Sequence, residues 1–140
     1  MRKYLIVTIT IFFTCFLSCK SNNDVEINQC SIDRTLQLNH GKKWKASGSM
    51  TNGINKMNTV IATVDMETFN PKMIGYKLNF EIRMMMSMCN AAGDAHDQFH
   101  YYLDPLEDQI NGLQIANDIA KEPLLNSIKS HLNNYKKYFN

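Results

Sequence analysis

Apolar residues recur at helical spacing through most of the chain after Ser49. In the first such segment they lie alternately four and three positions apart, which places them on one face of a helix. That face consists of Met50, Ile54, Met57, Ile61 and Val64. Two later segments show the same spacing, with faces His96, Phe99, Leu103, Leu106, Ile110 and Leu113, and Leu125, Ile128, Leu132, Tyr135 and Phe139. The pattern therefore predicts at least three amphipathic helices.

Residues 72–89 fit two patterns. Tyr76, Leu78, Phe80 and Ile82 alternate with polar residues as in a strand. The same stretch also carries a helical face, made of Ile74, Leu78, Ile82, Met85 and Cys89. Strands rarely exceed about 10 residues, so the length of the segment favours a helix. We expect Gly93 to cap the end of this helix and Asp94 to be the N-cap of the next.

Four amphipathic segments joined by short links predict an all-α fold, an up-and-down four-helix bundle over residues 35–140. The chain has only 6 glycines and 3 prolines in 140 residues, which also favours helices in a single domain. Ahead of the bundle, Leu36 and Leu38 alternate with polar residues, and Asn39-His40-Gly41 is a turn signal. These residues predict a short N-terminal extended arm or hairpin.

The N-terminus reads as a targeting segment. Arg2 and Lys3 precede a mostly apolar run over residues 4–17, and a membrane-spanning helix needs about 20 residues. The run ends in Phe16-Leu17-Ser18-Cys19, which resembles the lipobox of bacterial lipoproteins. The resemblance implies that residues 1–18 are a signal peptide and that Cys19 carries the lipid, followed by a flexible tether over residues 19–34. An ordinary secretory signal and a short uncleaved anchor are the alternatives.

The lipoprotein resemblance also carries an expected location. The residue after Cys19 is Lys20 and not aspartate, which implies the outer membrane, with the domain facing the periplasm and surface exposure left open. Arg2 and Lys3 account for the whole net charge of +2, so the chain without its signal peptide is formally neutral. Such a chain is not expected to bind nucleic acid. Its expected partners are the membrane, reached through Cys19, and another envelope protein.

A second resemblance spans most of the chain. Gly41-Lys42-Lys43-Trp44 and the segment from Cys89 through Gly93, Ala95-His96-Asp97 and His100 resemble a family of small helical lipoproteins or periplasmic proteins of Gram-negative bacteria. That family has a Gly-x-Lys-Trp segment and a Cys-x-Met-x-Gly-x-Ala-His-Asp-x-Leu-His motif. This chain departs from the motif with Ala91 in place of methionine and Phe99 in place of leucine. The resemblance implies a helical fold and carries no assigned activity.

His96 and His100 are candidates for metal binding. They lie four positions apart, so both imidazoles share one helix face. Unpaired N–H groups at the start of the helix favour neutral His96, the form that binds metal. Met88 and Cys89 end the preceding helix, and soft sulfur ligands beside imidazole suit copper(I) or a haem-linked role. The alternative is that both histidines are structural, because two histidines are fewer than the ligands of a usual site.

Cys89 has a competing use. In an oxidising compartment it could form a disulfide with Cys30, and a bonded cysteine cannot also ligate a metal. No nucleophile elbow, P-loop or HExxH motif is present, and no nucleophile partner for His96 is evident from the sequence. We therefore expect no enzymatic activity. The expected function is a binding or structural role in the bacterial envelope, with copper binding as the alternative.

Overall fold

The computed structural model describes residues 35–89 and 92–140, and its secondary structure is helical. The helices are α1 (Gly48–Ala62), α2 (Pro71–Ser87), α3 (Asp94–Gln114) and α4 (Lys121–Tyr138). Each helix packs against the next along the chain, and α4 returns to contact α1. The predicted all-α four-helix arrangement is confirmed.

The first two helices begin where the sequence supplies a side-chain cap. The Ser47 hydroxyl accepts a hydrogen bond from the Met50 amide at 3.3 Å. At α2 the Asn70 side chain accepts one from the Met73 amide at 3.2 Å, and Pro71 occupies the first turn. Both caps satisfy an amide that the helix leaves without a partner, and proline lacks the amide that would be unpaired there.

The core confirms the helical interpretation of residues 72–89. Leu78 and Ile82 are buried, whereas Tyr76 and Phe80 are 49% and 59% exposed. A strand would have placed these four side chains on one face. The observed burial instead follows the 3.6-residue period of a helix. The apolar residues of the other predicted faces are also buried, except Val64, which is partly buried beyond the end of α1, and His96 of the α3 face is partly buried. One core residue of α3 was missing from the prediction, Tyr102.

The link between α2 and α3 differs from the expectation. We expected Gly93 to close α2, but α2 ends at Ser87 and Gly93 is the N-cap of α3. Its φ of +96° with ψ of −179° is a conformation that glycine adopts readily and other residues avoid. From there its carbonyl accepts hydrogen bonds from the amides of His96 and Asp97. Asp94 is therefore the first residue of α3 and not its N-cap.

The predicted arm begins with a tight hairpin. Asn39 and Lys42 exchange two backbone hydrogen bonds of 2.8 and 2.9 Å, and His40 and Gly41 both have positive φ, as a two-residue hairpin turn requires. Beyond the turn, Trp44 pairs with the end of the chain. Its amide donates to the Tyr138 carbonyl at 2.7 Å and its carbonyl accepts from the Asn140 amide at 3.0 Å. Trp44 is partly buried against the core.

A reciprocal contact joins α3 to α4. The Tyr102 hydroxyl donates to the His131 carbonyl at 3.1 Å, and the His131 Nε2–H donates to the Tyr102 carbonyl at 2.9 Å. Burial raises the pKa of Tyr102, and the nearby Tyr135 adds to the effect. Burial lowers the pKa of His131. Both groups are therefore held in their neutral forms, as expected for polar groups in an apolar core.

Gly53 of α1 lies directly against the Met85 side chain of α2. A Cβ atom at Gly53 would overlap the Met85 side chain, which is fully buried, whereas one at Gly48 would meet nothing. Gly53→Ala should therefore lower the free energy of unfolding by about 1–3 kcal/mol through overpacking. Gly48→Ala, the matched control, should leave it unchanged or raise it by up to about 1 kcal/mol. Urea unfolding followed by circular dichroism measures both, and equal effects would contradict this packing.

Candidate functional site

The link between α2 and α3 brings one thiol and two imidazoles together. Cys89 lies just beyond the end of α2, and His96 and His100 lie in the first two turns of α3. The α2–α3 pair packs closely along the bundle, so the end of one helix lies beside the start of the other. Cys89, His96 and His100 are all partly buried.

The three side chains form a continuous chain of polar contacts, which we call the thiol–imidazole chain. The Cys89 Sγ lies 3.1 Å from the His96 Nδ1, and the His96 Nε2 lies 3.1 Å from the His100 Nε2. The two rings meet edge to face, with centroids 4.4 Å apart and planes at 74°. Both nitrogens of His96 are thus occupied, one by sulfur and one by the second imidazole.

The protons of the thiol–imidazole chain can be arranged in either direction. In one arrangement the His100 Nε2–H donates to the His96 Nε2, and the His96 Nδ1–H donates to sulfur. In the other the thiol donates to the His96 Nδ1, and the His96 Nε2–H donates to the His100 Nε2. A neutral imidazole has one donor and one acceptor nitrogen, so both arrangements satisfy His96 completely. His96 is the central group because each of its neighbours fixes the state of the opposite nitrogen.

Of the four expected metal ligands, His96, His100, Met88 and Cys89, the structure places Cys89, His96 and His100 in contact along a line. Cys89 and His100 contact opposite edges of the His96 ring, so one metal ion cannot replace both contacts. Among the described residues, no group of three or more His, Cys, Asp and Glu side chains is placed to hold a metal ion. The expectation that Cys89 sits beside the histidines agrees with this geometry, but its position suggests a role other than ligand.

The neighbouring methionines lie in different environments. Met88 is 46% exposed at the C-cap of α2. Met85 is fully buried and its thioether faces Gly53 of α1. Met85 is therefore a core residue, and Met88 is the more accessible thioether at this end of α2.

A small pocket gives access to His96 from the side of the N-terminal arm. Its volume is about 270 Å³, and it is lined by Lys45, Ala46, Ser47, Met50, Ala95 and His96. Lys45 and Ser47 were absent from the predicted site, because they fall between the predicted arm and the first predicted helix and carry no motif of their own. Their position depends on the pairing of the arm with the end of the chain.

Two predicted site residues cannot be compared with the structure. Cys19, the expected lipidation site, and Cys30, the expected disulfide partner of Cys89, lie outside the described residues. Within residues 35–89 and 92–140, none of the four helices has the length and apolar character needed to cross a membrane.

Comparison with protein-family models, with curated proteins and with solved structures finds no match to this chain.

Proposed function

We propose that this protein is a lipid-anchored protein of the bacterial envelope whose helical domain binds a soft metal ion, copper(I), through His96 and His100. One observation carries the proposal: the two Nε2 atoms face each other at 3.1 Å. Two nitrogens bound to one tetrahedral ion at 2.0–2.1 Å would lie about 3.3 Å apart. Where the His100 Nε2–H donates to the His96 Nε2, placing an ion between these imidazoles requires a small outward shift and transfer of that proton to the His100 Nδ1, so that both imidazoles stay neutral.

Cys89 supports this site as the partner of the remaining His96 nitrogen. Histidine ligands usually hold their second N–H against an acceptor, which fixes the tautomer and the ring orientation. The Cys89 sulfur, 3.1 Å from the His96 Nδ1, is in place to accept that N–H. The proposed role of Cys89 is thus to orient His96 and not to bind the ion directly.

Two imidazoles leave the ion with open coordination positions. Structural metal sites are closed by four protein ligands, so an incomplete set favours a protein that takes up and releases its ion. We propose Met88 as a further ligand, because its thioether is exposed, it precedes Cys89 in the sequence, and thioethers favour copper(I).

We predict that the full-length protein, purified in detergent, binds copper(I) with submicromolar affinity in competition with a coloured chelator. The double variant His96→Ala, His100→Ala should lose this binding, because it removes both nitrogens. Cys89→Ala should weaken it by about 10–100-fold through loss of the orienting contact. His40→Asn is the matched control, since His40 is exposed in a turn of positive φ that asparagine also adopts. Unchanged affinity in the double variant would overturn the proposal.

The proposed anchoring depends on Cys19 and is tested separately. In a Gram-negative host, Cys19→Ala should abolish labelling with palmitate and shift the protein from the outer-membrane fraction to the periplasmic or unprocessed pool, since two or three acyl chains give firm anchoring. Cys30→Ala is the control and should remain in the membrane fraction. Persistence of Cys19→Ala in the outer membrane would contradict the lipoprotein assignment.

A second candidate function is protein binding through the outer face of α2. Met73, Tyr76 and Phe80 are between 49% and 59% exposed and border a shallow depression with Lys77 and Glu81. We propose a second copy of this chain as the occupant. In an antiparallel pairing of two α2 helices, the exposed apolar side chains of each copy would pack against those of the other, which gives the self-complementary surface that a two-fold interface requires. Glu81 stays paired with Lys56 of its own chain at 3.7 Å.

If this surface pairs two copies, Phe80→Glu should shift the full-length protein toward monomer in analytical ultracentrifugation, because it places a charge in an apolar contact. Lys137→Glu, at an exposed position on α4, is the control and should leave the association unchanged. A wild-type protein that is monomeric at all accessible concentrations would exclude this candidate.

A further inference from the structure

A cavity lies in a groove between α1 and α4. Its volume is about 630 Å³, within the range of pockets that hold small molecules. None of the residues that line it belongs to the thiol–imidazole chain. The groove is therefore separate from the proposed metal site.

The floor of this α1–α4 groove is apolar. Ile54 and Leu132 line it from opposite helices and are themselves buried. Tyr135 also lines it, but its hydroxyl lies 3.0 Å from the Thr51 hydroxyl, so the phenol is already occupied. The floor is thus apolar and has little hydrogen-bonding capacity.

The walls of the groove are polar and carry one sign of charge. Asn55 and Asn58 line it from α1, and Lys129, Asn133 and Lys136 line it from α4. The part of the chain that the structure describes contributes no carboxylate to this lining. Lys129 and Lys136 are seven residues apart on one helix face, about 10.5 Å along the axis. Asn133 lies between these two lysines on α4.

These groups match a particular ligand chemistry. A primary amide both donates and accepts hydrogen bonds, as a hydroxyl group does, and an ammonium group donates to an anionic oxygen. An apolar floor suits the C–H face of a small ring. We propose that the α1–α4 groove binds a hydroxylated anion, a sugar phosphate or a sugar acid, with hydroxyls on the asparagines and the charge on Lys129 or Lys136.

Four small probes test the need for hydroxyl groups and the need for negative charge separately. Glucose 6-phosphate and glucuronate carry both hydroxyls and charge, glucose carries hydroxyls alone, and inorganic phosphate carries charge alone. In NMR titrations of the ¹⁵N-labelled full-length protein in detergent, we expect the two charged sugars to bind at least tenfold more tightly than glucose or phosphate. Amide shifts should concentrate along α1 and α4. A preference for one charged sugar identifies the anionic group that the groove recognises.

Variants then test the assigned residues. The double variant Lys129→Gln, Lys136→Gln should weaken binding of the preferred sugar at least tenfold, and Asn58→Ala should weaken the charged sugars while leaving phosphate unaffected. Lys137→Gln is the matched control, because Lys137 is exposed on α4 and does not line the groove. Absence of shifts with all four probes, or unchanged affinity in the double variant, would overturn the proposal. Phosphate binding as tight as glucose 6-phosphate would also overturn it, since the hydroxyls would then have no role.

Discussion

Burial of one apolar face per helix is the constraint on which the structure depends. The most deeply buried residues include Met57 of α1, Leu78 of α2, Leu106 of α3 and Ile128 of α4, all with essentially no exposed surface. A single amphipathic helix cannot remove its apolar face from water, so each helix is stable only against the others. Everything at the surface of the bundle, including the thiol–imidazole chain and the α1–α4 groove, takes its position from this shared core.

The thiol–imidazole chain lies at the end of the bundle core, in the link between α2 and α3. Leu78, Ile82 and Met85 hold α2 against the bundle, but Cys89 lies past the last residue of that helix. Gly93 then turns the backbone through a positive φ and begins α3, which sets His96 in the first turn. Cys89 and His96 meet because the turn between two packed helices is short. The contact is thus a consequence of helix packing and of one backbone conformation that glycine makes accessible.

His96 is the residue of the thiol–imidazole chain that contacts both of the others. Its Nδ1 contacts a thiol and its Nε2 contacts an imidazole, so changing the state of one neighbour changes the proton on the other nitrogen. With a metal ion at Nε2, sulfur at Nδ1 becomes the orienting group. The same geometry explains why three good ligand residues in close proximity do not form a three-ligand site. A ring has two nitrogens that point in different directions, and each of them has a different partner.

The helical pattern determined three amphipathic segments and placed His96 and His100 on one face, whereas residues 72–89, which also fit a strand pattern, were assigned to a helix by their length. These features depend on the 3.6-residue period, which is a local property of the chain. The role of Gly93 could not be decided in the same way, because a glycine between two helices can end the first or begin the second. The contact of Cys89 with the His96 Nδ1, the pocket formed by Lys45 and Ser47, and the groove between α1 and α4 were decided by the tertiary structure. Each requires the relative position of elements that are distant in sequence or joined by a turn, and that position is set by packing of the whole core.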